Sequence, residues 1–261
     1  MRTIPIITLV LALAGSAAII TVADAAESTA SPVLVELFTA EGCSSCPPAD
    51  AFLMQLDAHQ PIPGVQLIVL SEHVTYWNDS WPDPFASGHL TARQEDYVRA
   101  LKRPSAYTPQ LIVDGTAEIR LSNPQDMERI FRAAAASPKI PVSVASVKVE
   151  SGHPAYLSGE IQVDGNSEQH KADVYLALAL DRVETKVSRG ENRGKTLAHV
   201  AVVEYLSKLG RLNPGQKFDQ TFRVPLEREL ASNDARLIVF VQEGGAGRVI
   251  GSTLKHTARP E

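Results

Sequence analysis

The chain has 261 residues, of which 44% are hydrophobic and 21% are charged, and its formal net charge is −5. This composition is typical of a globular protein, and the length suits one large domain or two modest ones. The acidic chain has neither a basic stripe interleaved with aromatics nor a glycine-rich phosphate loop, so we expect no nucleic acid and no cofactor.

The first residues are typical of an export signal. Arg2 supplies a positive charge, residues 4–22 are almost wholly apolar, and residues 23–25 (Ala-Asp-Ala) suit a signal peptidase. An uncleaved anchor is the alternative, because the apolar run approaches the length that spans a membrane. We predict that residues 1–25 are a removed signal peptide and that the mature protein is periplasmic or secreted, without membrane contact.

A Cys-x-x-Cys motif follows the first predicted strand, residues 33–39, and opens a helix predicted from about residue 44 to residue 58. Cys43 and Cys46 are the only cysteines of the chain. The N-terminus of a helix favours a thiolate through its dipole and its free backbone N–H groups. We therefore expect the pKa of Cys43 to lie below the ordinary value of about 8.5.

Three chemistries are open to this motif. Zinc needs about four ligands, and no second cysteine pair is present. An exported protein can keep a structural disulfide, but closing a four-residue loop removes little entropy from the unfolded chain. The spacing therefore favours a redox-active disulfide between Cys43 and Cys46 over an inert bridge or a metal site.

Strands and helices alternate up to about residue 137. The further elements predicted there are a strand over 65–70, a helix over 91–102, strands over 110–113 and 118–121, and a helix capped by Asn123. This order resembles a minimal thioredoxin-like domain, which we assign to residues 32–137. In thioredoxin-like proteins a cis proline starts the third core strand, and Pro109 stands at that place. We predict a cis Thr108–Pro109 bond, with Pro109 facing the cysteines.

The second half of the chain has a different pattern. After a proline-rich joint at residues 137–141 the helical period disappears, and a β-sandwich is predicted over residues 140–258. Its strands are expected at residues 142–149, 156–163, 174–180, 197–209, 218–224, 237–241 and 249–254. The predicted fold class is therefore an α/β thioredoxin-like domain followed by an all-β antiparallel sandwich domain.

Four strings of the chain resemble one bacterial family: VELFTAEGCSSCPPAD, EHVTYWNDSWPDPFAS, TARQEDYVRAL and YTPQLIVDG. This is the exported domain-of-unknown-function 1223 family, placed in the thioredoxin-like superfamily. The resemblance covers residues 33 to about 136, and RGENRGKTLAHVAVV extends it into the second half. It implies a fold and a compartment but no established activity.

Two further polar residues are site candidates. Glu36, on the first strand, resembles the buried acid of thioredoxins that accepts a proton from the second cysteine; facing solvent or the sandwich is the alternative. His73 ends the second strand, at the sheet edge where ligands collect in α/β proteins. With Cys43 and Cys46 it would suit a soft metal such as Cu(I), and a hydrogen-bonded loop histidine is the alternative.

Two surface segments also have open interpretations. The aromatic-rich segment holds Tyr76, Trp77, Trp81 and Phe85, which fit a platform for a partner or the private core of a long loop. The charged, glycine-rich residues 189–195 fit a ligand loop or a solvated turn.

The favoured function is thiol–disulfide exchange with thiol-containing polypeptide substrates and a redox partner protein. Cys43 is the expected nucleophile and Cys46 the resolving cysteine, while Pro109 holds the substrate segment and Glu36 moves the proton. One alternative is a non-enzymatic secreted binding protein with a structural disulfide. The other is a copper-handling protein that uses Cys43, Cys46 and His73.

Overall fold

The computed structural model describes residues 30–121, 123–150, 152–165, 171–227, 230 and 233–257. The predicted signal peptide, residues 1–25, lies outside them. No helix within these ranges is both long enough and apolar enough to cross a membrane.

The described residues form eleven strands and three α-helices. The strands are β1 (Ser31–Thr39), β2 (Val65–His73), β3 (Gln110–Val113), β4 (Ala117–Ile119), β5 (Val142–Glu150), β6 (Ala155–Asp164), β7 (Ala172–Lys186), β8 (Thr196–Leu212), β9 (Lys217–Leu226), β10 (Ala235–Glu243) and β11 (Val249–Thr257). The helices are α1 (Pro47–His59), α2 (Gly88–Ala100) and α3 (Pro124–Ala136), and a short 3-10 turn covers Thr75–Trp77.

Local signals in the first half of the chain act as the sequence predicts. Asp114 and Gly115 take the positive φ angles of 45° and 70° that a tight hairpin turn needs, and they join β3 to β4. Asn123 caps α3 by accepting a hydrogen bond from the backbone N–H of Asp126, with a proline at the start of the helix.

The predicted fold class is wrong. The protein is mostly β, and eight strands from both halves of the chain form one mixed sheet in the order β11-β10-β7-β8-β2-β1-β3-β4. The two halves join where β2 runs parallel to β8, with Ser71 opposite Val202. Only β5, β6 and β9 form a separate, three-stranded antiparallel sheet. A thioredoxin-like domain followed by an independent sandwich does not describe this architecture.

Burial on both faces explains the difference. In β7, Leu176 and Leu178 pack with the three-stranded sheet, whereas Ala177 and Ala179 pack in the core formed with β1, β2 and α1. In β10, Val239 and Phe240 divide in the same way. A strand covered on both faces reads as a continuous apolar run rather than as alternation. The second-half strands were interpreted as one sandwich because their length and spacing suit it, although several lack polar alternation.

Polar contacts also cross between the halves. Arg236 of β10 donates two hydrogen bonds to the Asp57 carboxylate of α1, at 2.6 and 2.9 Å. The backbone N–H of Val249 donates to the carbonyl oxygen of Asp114 at 2.9 Å. The predicted division into units 32–137 and 140–258 stays a prediction, which a fragment experiment tests below.

Candidate functional site

The two cysteines form a disulfide just before α1, as the sequence predicts. The Cα atoms of Cys43 and Cys46 lie 5.4 Å apart. Both residues are fully buried, whereas Ser44 and Ser45 between them are exposed. The Ser45 hydroxyl lies 3.3 Å from the Cys43 sulfur. The exposed part of the loop is therefore the short serine segment, and the sulfurs lie beneath it.

The helix begins later than predicted. Cys46 is the N-cap of α1, so Cys43 lies outside the helix. The first two helical positions are both proline, which has no backbone N–H. The N–H groups of Ala49 and Asp50 bond to the Cys46 carbonyl oxygen at 2.8 and 3.1 Å. The first turn of α1 therefore does not offer Cys43 the free N–H groups expected from the sequence, and the helix dipole remains as the stabilising influence.

A segment from the second half of the chain covers the cysteine loop. We call residues 187–195, between β7 and β8, the cover segment. The buried side chain of Asn192 donates to the carbonyl oxygens of Glu41 and Cys43 at 2.8 and 2.9 Å. Glu191 accepts a hydrogen bond from the Ser44 N–H at 3.2 Å, and hydrogen bonds from Ser44 lower the pKa of Glu191. The cover segment is thus part of the site, and no local sequence pattern predicts the role of Asn192.

The cysteine loop also packs against the aromatic-rich segment. A Cβ atom at Gly42 would lie 2.6 Å from the Ser80 hydroxyl oxygen and 3.0 Å from the Trp77 carbonyl oxygen, so glycine is required there. Trp77 packs against the apolar cluster that contains Cys43 and Cys46. The cysteine loop is therefore held between two separate segments of the chain.

Thr108 and Pro109 lie beyond Trp77. The Thr108–Pro109 peptide bond is cis, which confirms the prediction. The indole N–H of Trp77 donates to the Thr108 hydroxyl oxygen at 2.8 Å, which links Thr108 to the cluster that contains the sulfurs. Direct contact between Pro109 and the cysteines stays a prediction.

Buried acids and histidines flank the cysteine loop. We call this group the acid–imidazole cluster: Glu41, Asp50, His73, Asp83 and His199. His73 Nδ1 lies 2.7 Å from an Asp83 carboxylate oxygen, and the His73 and His199 ring centroids are 4.8 Å apart. The His199 nitrogens lie 3.5 Å from Glu41 and 3.7 Å from Asp50.

Two pKa shifts give the acid–imidazole cluster its charge pattern. Burial disfavours a charged imidazole, but the carboxylates of Asp50 and Glu41 outweigh it and raise the pKa of His199 to about 9. Burial alone would raise the pKa of Asp83, yet the His73 charge and hydrogen bonds from His73 and two backbone N–H groups lower it. His199 is therefore a buried cation at neutral pH, and its ring nitrogens lie 3.5 Å from Glu41 and 3.7 Å from Asp50.

The copper hypothesis required His73 beside both sulfurs. The His73 ring contacts Asp83, Phe85 and His199. Across the described ranges, no group of three or more His, Cys, Asp or Glu side chains is arranged to hold a metal ion.

Glu36 lies in a second buried group, the arginine network, which consists of Glu36, Glu72, Arg93, Tyr97 and Gln242. Its carboxylate accepts hydrogen bonds from Arg93 at 2.6 Å and from the Tyr97 hydroxyl at 2.5 Å. Burial and then the Glu36 charge raise the pKa of Glu72 well above its usual range. Glu36 reaches the cysteine cluster through Tyr97, whose ring packs there, and its role as proton acceptor stays a prediction.

Comparison with known proteins places this architecture in a family. The family described as "Protein of unknown function (DUF1223)" matches residues 34–242. Protein AGR_C_4864 from Agrobacterium tumefaciens is similar in structure, with a TM-score of 0.65 and 25% identity, over 88% of this chain and 95% of that one. HBP35 of Porphyromonas gingivalis shares the fold, with a TM-score of 0.63 and 14% identity, over 89% and 78% of the two chains. No curated protein matches the chain.

Proposed function

We propose that this chain, which belongs to the DUF1223 family of proteins of unknown function, is an exported thiol–disulfide exchange protein that acts through Cys43 and Cys46. The observation that carries the proposal is the position of the disulfide. The only two cysteines close a four-residue loop just before α1, and two distant segments hold that loop in place. So small a ring stabilises the folded chain little, so reactivity is the better reason for building it there.

The proposed reaction starts from the reduced protein. The Cys43 thiolate attacks one sulfur of a substrate disulfide, forms a mixed disulfide and releases the first substrate thiolate, which takes up a proton. The Cys46 thiolate then attacks the Cys43 sulfur, restores the Cys43–Cys46 disulfide and releases the second substrate thiol. Two electrons and two protons pass from the two cysteines to the substrate, and the reverse sequence oxidises a dithiol.

The relation to the thioredoxin-like superfamily is part of the proposal. It rests on two local features, the strand–Cys-x-x-Cys–helix junction of β1 and α1 and the proline that precedes β3. It does not rest on the overall fold, since β1 to β4 belong to a larger mixed sheet.

Burial of the sulfurs adds a requirement to this reaction. In either direction, a substrate sulfur must reach the Cys43 sulfur along the line of the S–S bond that breaks. Neither cysteine is exposed. The cover segment is the part that must move, because Glu191 and Asn192 bond directly to the loop. The Glu191 contact is exposed and is the weaker one, since water competes for it.

The same burial favours a second candidate function. A sealed disulfide clamped by Asn192 is also what a non-enzymatic secreted binding protein would keep as a structural bridge. In that protein the sulfurs would stay inaccessible and the cover segment would not open.

Trapping a mixed disulfide separates the two candidates. The Cys46→Ser variant is incubated with oxidised glutathione, and its adduct is followed by mass spectrometry; Cys43→Ser is the matched control. Exchange through Cys43 predicts a rapid adduct on Cys46→Ser and a much slower one on Cys43→Ser. If neither variant reacts while both remain folded by circular dichroism, the structural bridge is the correct function. Equal rates on both would overturn the assignment of Cys43 as nucleophile.

A further inference from the structure

Two tyrosines stand out on the surface beside the cysteine loop. Tyr76 and Tyr107 are the large hydrophobic side chains exposed among the described residues, at 45% and 43%. The buried side chain of Gln94 joins them: it accepts a hydrogen bond from the Tyr76 hydroxyl at 3.2 Å and donates one to the Tyr107 carbonyl oxygen at 2.8 Å. Gln94 therefore ties the side chain of Tyr76 to the backbone at Tyr107, and the two exposed tyrosines lie at positions joined by one buried residue.

This surface adjoins the cysteines. Trp77, next to Tyr76, packs against the apolar cluster that contains Cys43 and Cys46, and its indole N–H donates a hydrogen bond to Thr108, next to Tyr107. Trp77 and Thr108 therefore link the two tyrosine positions to the cluster that contains the sulfurs.

A cavity of about 470 Å³ opens beside Tyr107. Its apolar lining includes Leu37, Ala49, Pro109, Leu111, Ile119 and Leu121. The volume lies within the range of ligand-binding pockets and can hold one large apolar side chain. Ala49 lies in the first turn of α1, three residues after Cys46, so the cavity reaches the end of α1 that carries the disulfide.

The rim of the cavity carries one excess positive charge. Arg103 and Arg120 both line it, together with Glu118. Arg103 is paired with Glu118 at 2.6 Å. Arg120 is exposed and takes part in none of the ion pairs found within the described residues. A negatively charged group on a ligand would therefore complement Arg120.

We infer that this surface binds an extended polypeptide segment in which a large apolar side chain stands next to an acidic one. The apolar side chain enters the cavity, the carboxylate bonds to Arg120, and Tyr76 and Tyr107 cover the neighbouring side chains. Tyrosine and arginine are the residues that most often anchor such contacts. The inference rests on the proposed function only in making this segment a substrate of the disulfide; the binding itself does not need exchange.

Binding is tested on the oxidised protein, so that it is measured without exchange. The probe is a fluorescein-labelled short peptide with one phenylalanine next to one aspartate in a glycine–serine background. Two matched peptides replace the phenylalanine by alanine or the aspartate by lysine. Fluorescence anisotropy should show at least about tenfold weaker binding for each replacement, since each removes one anchor.

Three variants locate the site. Arg120→Glu should weaken binding of the aspartate peptide by about tenfold and strengthen that of the lysine peptide, because the rim charge is reversed. Ser105→Trp fills the cavity from an exposed position of its lining and should remove the preference for phenylalanine. Lys148→Glu makes the same charge change on exposed β5, in the separate sheet, and should leave all three affinities unchanged.

Equal affinities for the three peptides, or an Arg120→Glu variant that binds like the wild type, would overturn the inference. Concentration-dependent dimerisation that Ser105→Trp abolishes would also overturn it, since a second copy would then occupy the surface. Peptide preference without any mixed disulfide on Cys46→Ser would support the binding surface and refute exchange, so the two failures are distinguishable.

Discussion

The arginine network and the acid–imidazole cluster are both buried, both include carboxylates, and both join the first half of the chain to the second. They differ in the cation that balances the acids. Arg93 stays charged at any ordinary pH, lies within 5.0–5.6 Å of three aromatic ring centroids and pairs with Glu36. His199 holds its charge only up to a pKa of about 9. The arginine network therefore keeps its positive charge at any ordinary pH. The acid–imidazole cluster, next to the cysteine loop, loses its positive charge when His199 is deprotonated.

Separating the two halves of the chain should lower stability most, because the arginine network and the acid–imidazole cluster both lose partners. Residues 138–261 expressed alone would expose the apolar faces of β7, β8 and β10 that pack against the first half. Both Gln242 and His199 would lose their partners in the first half. We expect no cooperative thermal transition by circular dichroism. A sharp transition with a β-rich spectrum would instead support the independent unit 140–258 predicted from the sequence.

Removing the arginine should have the next largest effect. In Arg93→Met the Glu36 carboxylate stays buried without its cation, which typically costs about 3–5 kcal/mol. Urea unfolding at neutral pH measures the loss. The double variant with Glu36→Gln should recover much of it, because the buried charge is then absent as well. A loss below about 1 kcal/mol in Arg93→Met would show that the pair behaves as an exposed one.

Deprotonation of His199 should lower the free energy of unfolding only above about pH 6.5. The pKa of His199 rises from an ordinary 6.5 in the unfolded chain to about 9 in the folded protein. Its contribution is therefore complete below pH 6.5 and is lost as pH rises through about 9; it amounts to about 3 kcal/mol. Urea unfolding between these pH values should show this decline in the wild type and not in His199→Gln.

An exposed histidine provides the control for that measurement. His89→Gln should decline with pH as the wild type does, because His89 lies at the surface. If His199→Gln shows the same decline as the wild type, the acid–imidazole cluster is not the titrating group.

Loosening the cover segment should have the smallest effect on stability and a visible one on kinetics. Asn192→Ala removes two hydrogen bonds to the cysteine loop, each worth about 1 kcal/mol. If both bonds must break for access, dithiothreitol should then reduce the disulfide about thirtyfold faster than in the wild type. Asn213→Ala, in the turn between β8 and β9, is the matched control. An unchanged rate would mean that another segment limits access to the sulfurs.

The structure also shows which features can be predicted from the sequence. Most elements, the Asn123 cap, the Asp114–Gly115 turn and the disulfide follow from local chemistry, so their patterns were readable. The cis bond at Pro109 was predicted from a resemblance. Helix α1 starts later than predicted, because Pro47 and Pro48 occupy its first two positions and Cys46 is its N-cap.

Long-range placement could not be read from spacing. The contact of Asn192 with Glu41 joins residues 151 positions apart. His199 is likewise distant in sequence from Glu41 and Asp50, and the fold of the sheet brings them together. The continuous apolar runs of β7 and β10 do indicate this placement, because a strand with no polar face must be packed against other elements on both faces. That signal predicts the shared core and argues against a one-sided sandwich.

The reduction potential of the Cys43–Cys46 disulfide tests the central claim most directly. The oxidised protein is equilibrated in dithiothreitol redox buffers, and the reduced fraction is counted by alkylation and mass spectrometry. An exchange protein predicts a potential clearly above about −300 mV, within the range of disulfides that partner proteins reduce and reoxidise. A potential below about −300 mV would contradict the account and leave the disulfide as a structural bridge.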